Sequence, residues 1–119
     1  MLNPLDGAAV YLASGSTDMR KSIDALAALV SLDFDLDLFS NSLFVFCNKD
    51  RDKLKILFWD HNGFWLYYRR LEKGHFRWPA RSGGSQTISI SRRQLQWLLD
   101  GLTLEQRQAH APVTARIVA

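Results

Sequence analysis

The chain has 119 residues, a net charge of +3 and 47% apolar residues, enough to build one domain around a core without disulfides or a structural metal. A single cysteine, Cys47, excludes an internal disulfide and a cysteine-based zinc site, and no apolar run approaches the roughly 18 residues of a membrane span. The lone thiol, together with a start, "MLNPLDGAAV", that lacks the basic-then-apolar pattern of a leader, is what a cytoplasmic protein is expected to show.

Residues 9–14, "AVYLAS", read as a short strand closed by Gly15. "STDMRKSIDALAALV" follows, with Ser16, Thr17 and Asp18 as capping residues and Met19, Ile23, Leu26 and Val30 on one face. The spacing predicts a helix over residues 18–30. "LDFDLDLFSNS" alternates apolar residues with aspartates but runs into turn formers, and reads as an irregular connector. "LFVFC" is a strand rich in β-formers, "NKDRDK" a charged loop and "LKILFWD" the next strand. Asn62-Gly63 is the strongest short hairpin signal in the chain. Centred there, a two-residue turn would pair His61 with Phe64, Trp59 with Leu66 and Leu57 with Tyr68. The other face would pair Asp60 with Trp65 and Phe58 with Tyr67, leaving both faces apolar near the turn. "EKG" at residues 72–74 predicts a second turn into a short strand, "HFRWP"; "RSGGSQ" reads as a loop and "TISIS" as a last strand. "SRRQLQWLLDGL" carries a complete helix grammar: Ser91 as cap, Gln94 three residues later, an apolar stripe of Leu95, Leu98, Leu99 and Leu102, and Gly101 as stop.

These elements make an α+β fold, a mostly antiparallel meander with one helix before and one after the sheet. Residues 1–104 are expected to form the single domain and residues 105–119 a weakly structured tail.

Catalytic constellations are poorly supported. A metal nuclease needs converging carboxylates, but Asp18 is explained as a helix cap, and Asp50 and Asp52 sit among Lys49, Arg51 and Lys53. The His61-Asn62 pair lies on a tight turn. No phosphate-binding glycine motif is present. The expectation is a protein with no enzymatic activity, metal or cofactor.

The charge is unevenly laid out. Residues 1–42 hold six aspartates against Arg20 and Lys21, a balance of −4, whereas residues 43–93 hold eleven Lys or Arg against four acids, a balance of +7. The segment "FWDHNGFWLYYRRLEKGHFRWP" contains three of the four tryptophans, interleaved with basic residues. Such a mixture offers phosphate contacts and stacking platforms for nucleic acid, and an ordinary half-buried hairpin accounts for it as well. The candidate nucleic-acid-binding residues are Trp65 and Tyr67 for stacking. Lys49, Arg51 and Lys53 on the loop, Arg69, Arg70, Lys73 and Arg77 on and after the hairpin, and Arg92 and Arg93 at the second helix supply charge.

"TDMRKSIDALAAL", "LFVFCNKDRDKLKILFWDHNGFWLYYRRLEKGHFRWP" and "ISRRQLQWLLDGL" occur in the order found in one family. Over roughly residues 5–104 the chain resembles the TnpB accessory proteins of insertion-sequence-66-type bacterial transposable elements, which are unrelated to the RNA-guided nuclease of the same name. The resemblance implies a small helper in DNA transposition, beside a separate transposase that carries the catalytic carboxylates. It supplies no catalytic residues to carry over. The chain differs from the family pattern at Ala25, where glycine is usual, at His61, where the turn usually reads Gly-Asn-Gly, and at Asp50 in a loop that is usually richer in arginine. Two roles remain open: an accessory factor that contacts DNA through the basic aromatic hairpin, or an interaction module that docks on the cognate transposase or forms a homo-oligomer without touching DNA.

Overall fold

Leu43 to Cys47 is a run of β-forming residues with no polar face, so a strand built from it must be covered on both sides. In the computed structural model, which describes residues 7–81 and 83–105, every residue of Ser42–Cys47 is buried. This strand, β2, is the middle of a five-stranded sheet. The others are β1 (Ala9–Ala13), β3 (Lys53–Asp60), β4 (Gly63–Arg70) and β5 (Thr87–Ile90), in the spatial order β4-β3-β2-β1-β5. Helix α1 (Ile23–Ala28), continued by a wide π-type turn over Leu29–Asp33, connects β1 to β2; helix α2 (Arg92–Leu99) follows β5.

The α+β class and the mostly antiparallel sheet are as the sequence indicates. The exception is β1, which runs parallel to β2 because α1 lies between them as a crossover. The early helix therefore follows the first strand instead of preceding the sheet.

Each face of the sheet has its own core. On one face, Leu26 and Val30 of the α1 segment pack with Ala13, Phe44, Phe46 and Leu57. On the other, Leu95 and Leu98 of α2 pack with Val10, Leu12, Leu43, Val45, Ile56 and Phe58. The alternation within β2 explains the division: Phe44 and Phe46 point one way, Leu43, Val45 and Cys47 the other.

Helix α1 begins later than its pattern predicts. Asp18 accepts from the backbone N–H of Arg20 at 2.9 Å and pairs with its guanidinium at 2.7 Å, so residues 18–20 form a local turn and Ser22 stands at the N-cap position. Lys55 fastens this turn to the sheet: its Nζ donates to the carbonyls of Met19 and Lys21, each at 2.8 Å. At the other end Phe34 N–H donates to Leu29 C=O at 2.9 Å. The extra residue in that turn carries Phe34 onto the sheet, where it stacks on Phe46 with centroids 6.3 Å apart, and leaves Leu32 79% exposed. Leu26 and Val30 are fully buried, while Met19 and Ile23 are only half-buried.

The hairpin forms, with its turn moved by one residue. The pairs are Asp60 with Gly63, Trp59 with Phe64, Phe58 with Trp65, Leu57 with Leu66 and Ile56 with Tyr67. The loop residues are thus His61 and Asn62. His61 takes the positive φ, +57°, and Asn62 N–H bonds back to Asp60 C=O. The shift sets aromatic directly against aromatic and leucine against leucine, and these cross-strand contacts outweigh the turn preference of Asn-Gly. Each side chain keeps the face expected of it and only its partner changes.

"HFRWP" is not a strand. Phe76 N–H donates to Arg51 C=O at 2.7 Å, and Trp78 Nε1–H donates to Ala13 C=O at 3.1 Å, so the segment straps the α2 face of the sheet with Phe76 buried in its core. Helix α2 has the capping box its sequence encodes, Ser91 and Gln94 each accepting from the other's backbone N–H. Its end closes with Gly101 N–H on Leu98 C=O and Leu102 N–H on Trp97 C=O, Gly101 at φ +82°. That turn directs Leu102 outward, 43% exposed, so it leaves the expected stripe. The expected tail from residue 105 lies, beyond Glu105, outside the described residues.

Leu26→Ala is expected to lower the unfolding free energy by about 2–5 kcal/mol, measured by chemical denaturation; an unchanged midpoint would remove Leu26 from the core. The Arg20 guanidinium, by its hydrogen bonds, holds the Asp18 carboxyl at about 2, below its ordinary 3.8. A depressed carboxylate stabilises the fold above its unfolded value, and that contribution disappears as pH falls from about 3.8 through about 2. An NMR titration should find Asp18 ionised to low pH in the wild type and displaced toward 3.8 in Arg20→Ala.

Candidate nucleic-acid interface

Alternation along β4 sorts the candidate residues by face. Trp65, Tyr67 and Arg69 point to the α2 side, while Phe64, Leu66, Tyr68 and Arg70 point to the α1 side. Trp65 is 51% exposed. Its ring stacks on Phe58 with centroids 6.4 Å apart and planes at 20°, and its Nε1–H donates to Asp60 Oδ2 at 3.0 Å. One ring face is supported and the orientation is fixed, which is the form of a preorganised stacking platform. Tyr67 packs half-buried against the α2-side core and offers much less of its ring. Arg69 and Arg70, adjacent in sequence, lie on opposite faces. Arg70 is held by Glu72, 2.9 Å away, whose carboxylate raises the guanidinium pKa further.

Beyond Arg70 the chain turns at residues 72–74, with Gly74 at φ +76°, and returns along the α2 face. The return alternates: Phe76 is buried and Trp78 half-buried, while His75 and Arg77 are exposed. The exposed set meets the end of α2 around a cleft of about 670 Å³, lined by Arg69, Lys73, His75 and Arg77, by Leu71 and Leu99, and by Asp100 and Gly101 at the helix terminus. Among the described residues, Asp100 is the only carboxylate in that lining. The C-terminal end of α2 favours cations nearby, which helps to hold the basic groups there without neutralising them. His75 completes the group and was not among the sequence candidates. Its signal was the period-two alternation of "HFRW", in which the two polar residues share a side.

The loop between β2 and β3 serves structure first. Asn48 Oδ1 accepts from the N–H groups of Asp52 and Lys53, both at 3.0 Å, and its Nδ2 donates to Asp52 at 2.7 Å. Arg51, at φ +60°, donates to Gly15 C=O at 3.1 Å and lies 5.7 Å from the Trp78 ring centroid. Its guanidinium is committed to joining the loop to the strap. Lys49 and Lys53 open onto a second cleft of about 640 Å³, shared with Arg20, Asp18, Asp50 and Tyr68. The acids there offset much of the positive charge.

Arg92 and Arg93 open α2, about 10 Å along the axis from Leu99, so they stand apart from the basic cleft. The reciprocal bonds of Ser91 and Gln94 already occupy part of the amide donor set of that terminus. The structure thus gathers Arg69, Lys73 and Arg77 with His75, puts Trp65 on the same face, and distributes the other candidates elsewhere.

Among the described residues, no three His, Cys, Asp or Glu side chains gather as a metal site would require. Asp18, the carboxylate best placed by sequence, is engaged by Arg20. Cys47 is buried, and burial pushes its thiol pKa up, away from the reactive thiolate form. No helix among the described residues is long and apolar enough to cross a membrane.

Comparison with known proteins places this arrangement in a family. Two proteins of Sinorhizobium fredii (strain NBRC 101917 / NGR234), both described as uncharacterized, are similar over most of their length. The first, y4hO, is 39% identical over 93 residues, covering 78% of this chain and 79% of the relative. The second, y4jC, is 30% identical over 102 residues, 86% of each. No solved structure matches. The family model described as IS66 Orf2 like protein matches residues 8–109, a span that takes in both helices, all five strands and the basic cleft. The chain belongs to the IS66 Orf2-like family, the accessory proteins of this class of insertion sequence.

Proposed function

We propose that this protein is a non-catalytic accessory factor in transposition that holds nucleic acid on the α2 face of its sheet. The observation that carries the reading is the cleft between the return segment and the end of α2, where Arg69, Lys73, His75 and Arg77 converge around a single carboxylate, Asp100. Arg69 and Trp65 are four residues apart on one strand, about 13 Å, and share a face, so a strand of nucleic acid held by its phosphates at the cleft can run along β4 and bring a base to the indole. Stacking on such a platform contributes about 1–3 kcal/mol per base. The chemistry required is charge and a flat apolar surface, with no bond broken.

Docking on the transposase is the second reading. Phe39, 60% exposed, sits edge-on to Trp59 with centroids 5.0 Å apart on the α1 face, and Leu32 is exposed nearby in sequence. That patch of the α1 side offers apolar contact to a protein. The two roles use opposite faces and are compatible.

Binding to single-stranded and duplex DNA, titrated over a range of salt, tests the first reading. Log affinity should fall with log salt at about −0.7 to −0.9 per phosphate contacted. Arg69→Ala with Arg77→Ala should flatten the slope by about one to two units across all sequences. Arg70→Ala, on the other face and paired with Glu72, should leave it unchanged. Trp65→Ala should weaken single-stranded binding more than duplex binding, because only an unpaired base presents its face. Wild-type protein that shows no salt-dependent binding, yet retains the transposase, would establish the docking role alone.

A further inference from the structure

Strand β4 ends the sheet, and among the described residues no strand pairs with its outer edge. Two hydrogen bonds fix which backbone groups look outward. Asn48 N–H donates to Lys53 C=O at 3.1 Å, and Leu71 N–H donates to Asp52 C=O at 2.8 Å. Lys53 therefore turns its polar groups toward β2 and Asp52 toward the β4 side. Alternation then turns those of Leu54, Ile56, Phe58 and Asp60 toward β4. In the register observed, these meet Arg69, Tyr67, Trp65 and Gly63. The N–H and C=O groups of Phe64, Leu66, Tyr68 and Arg70 are left facing away from the sheet. No helix, loop or side chain among the described residues bonds to them.

An unpaired edge of this length is normally blunted by proline, a bulge, a central charge or a covering segment. Among the described residues, β4 runs eight residues with none of these; its charges are confined to one end. It also displays Trp65 and Tyr68, about half exposed, on its two faces. The opposite edge, β5, is four residues long.

We infer that β4 pairs with β4 of a second copy of this chain, antiparallel, about a two-fold axis through Tyr67 and perpendicular to the sheet. The strand is complementary to itself in that register. Leu66 lies opposite Tyr68 of the other copy and Phe64 opposite Arg70, and these are the residues whose backbone groups face outward, so each pair exchanges two hydrogen bonds. Arg69 lies opposite Trp65, so the cationic end of each strand meets the aromatic end of the other and like charges are kept apart. The two copies' Arg69 side chains stand four residues apart along the strand, about 13 Å, whereas parallel pairing would set arginine beside arginine. A second copy is preferred over a foreign strand because the apolar tip and the cationic base of β4 satisfy each other only when the strand is read in both directions.

Cross-linking tests the register directly. Tyr67 lies on the axis opposite its own copy in a pair without hydrogen bonds, where Cα atoms are about 4.5 Å apart, within disulfide range. With buried Cys47 replaced by Ala, Tyr67→Cys should oxidise to a covalent dimer, and Trp65→Cys, offset from its own copy, should not. Light scattering of the wild type should give twice the chain mass, falling to the monomer on dilution. Tyr68→Pro removes an outward N–H and no bond to β3, and should be monomeric with an unchanged circular dichroism spectrum; Tyr68→Ala should retain the dimer. If the proline variant unfolds, hydrogen exchange on the wild type takes its place: the amides of Leu66 and Tyr68 should gain protection as concentration rises. Wild type that is monomeric at all concentrations would overturn the proposal. So would a dimer that survives Tyr68→Pro, cross-links equally at Trp65→Cys, or leaves those amides unprotected. None of these measurements depends on DNA binding.

Discussion

The requirement that β2 be covered on both faces shapes the rest of the molecule. Its apolar residues follow one another without a polar break, so neither side of the central strand tolerates water. One side is closed by Leu26, Val30 and Phe34, carried on a crossover that forces β1 to lie parallel to β2. The other is closed by Leu95 and Leu98 of α2 and by Phe76 of the strap. The same strap, alternating about the buried Phe76, presents His75 and Arg77 outward. The basic cleft is in this sense a by-product of closing the core, since the residues that bury the sheet dictate where the charged ones between them must stand.

Connections between distant segments are made by a few polar side chains. Lys55 bonds the carbonyls of Met19 and Lys21, Arg51 joins Gly15 to the strap, and Trp78 reaches Ala13. Lys55 and Arg51 in this way give partners to carbonyls of irregular backbone, at Met19, Lys21 and Gly15. Positive charge in this chain thus has two uses. Lys55 and Arg51 are spent internally, whereas Arg69, Lys73 and Arg77 remain at the surface with one carboxylate among them.

Local grammar was the most readable part of the sequence. Ser91, Gln94 and Gly101 bound α2 by caps whose chemistry depends on near neighbours alone, and period two assigned each hairpin side chain to its correct face. What failed depended on distant partners. The start of α1 is decided by Arg20 closing on Asp18, and by Lys55 bonding the turn from another strand. The hairpin register is decided by leucine and aromatic pairs that compete with the Asn-Gly turn, and His61 accepts a positive φ as the result. "HFRWP" has the alternation of a strand but bonds to Arg51 and Ala13 in place of a ladder. For the candidate site, Trp65 and Arg69 were legible because strand periodicity places them. The internal commitment of Arg51 and the half-burial of Tyr67 were not, since composition does not reveal what a cation or a ring faces. Nor does sequence adjacency show that Arg69 and Arg70 part company.

The pairing of β1 with β5 bears on how the fold is reached. Val10 lies beside Ile90 and Leu12 beside Ile88, contacts that span most of the described chain, whereas β3 and β4 meet across two residues. Closing a long loop costs entropy before any contact repays it. The hairpin is therefore the natural early structure and the β1–β5 ladder the last to zip. During synthesis β1 must wait, one edge unpaired, until residue 90 has left the ribosome, and only then does α2 follow to seal the second face. The slow step in acquiring the native state belongs to the joining of the chain's first and last strands, far from the aromatic tip where the sequence concentrates its most conspicuous residues.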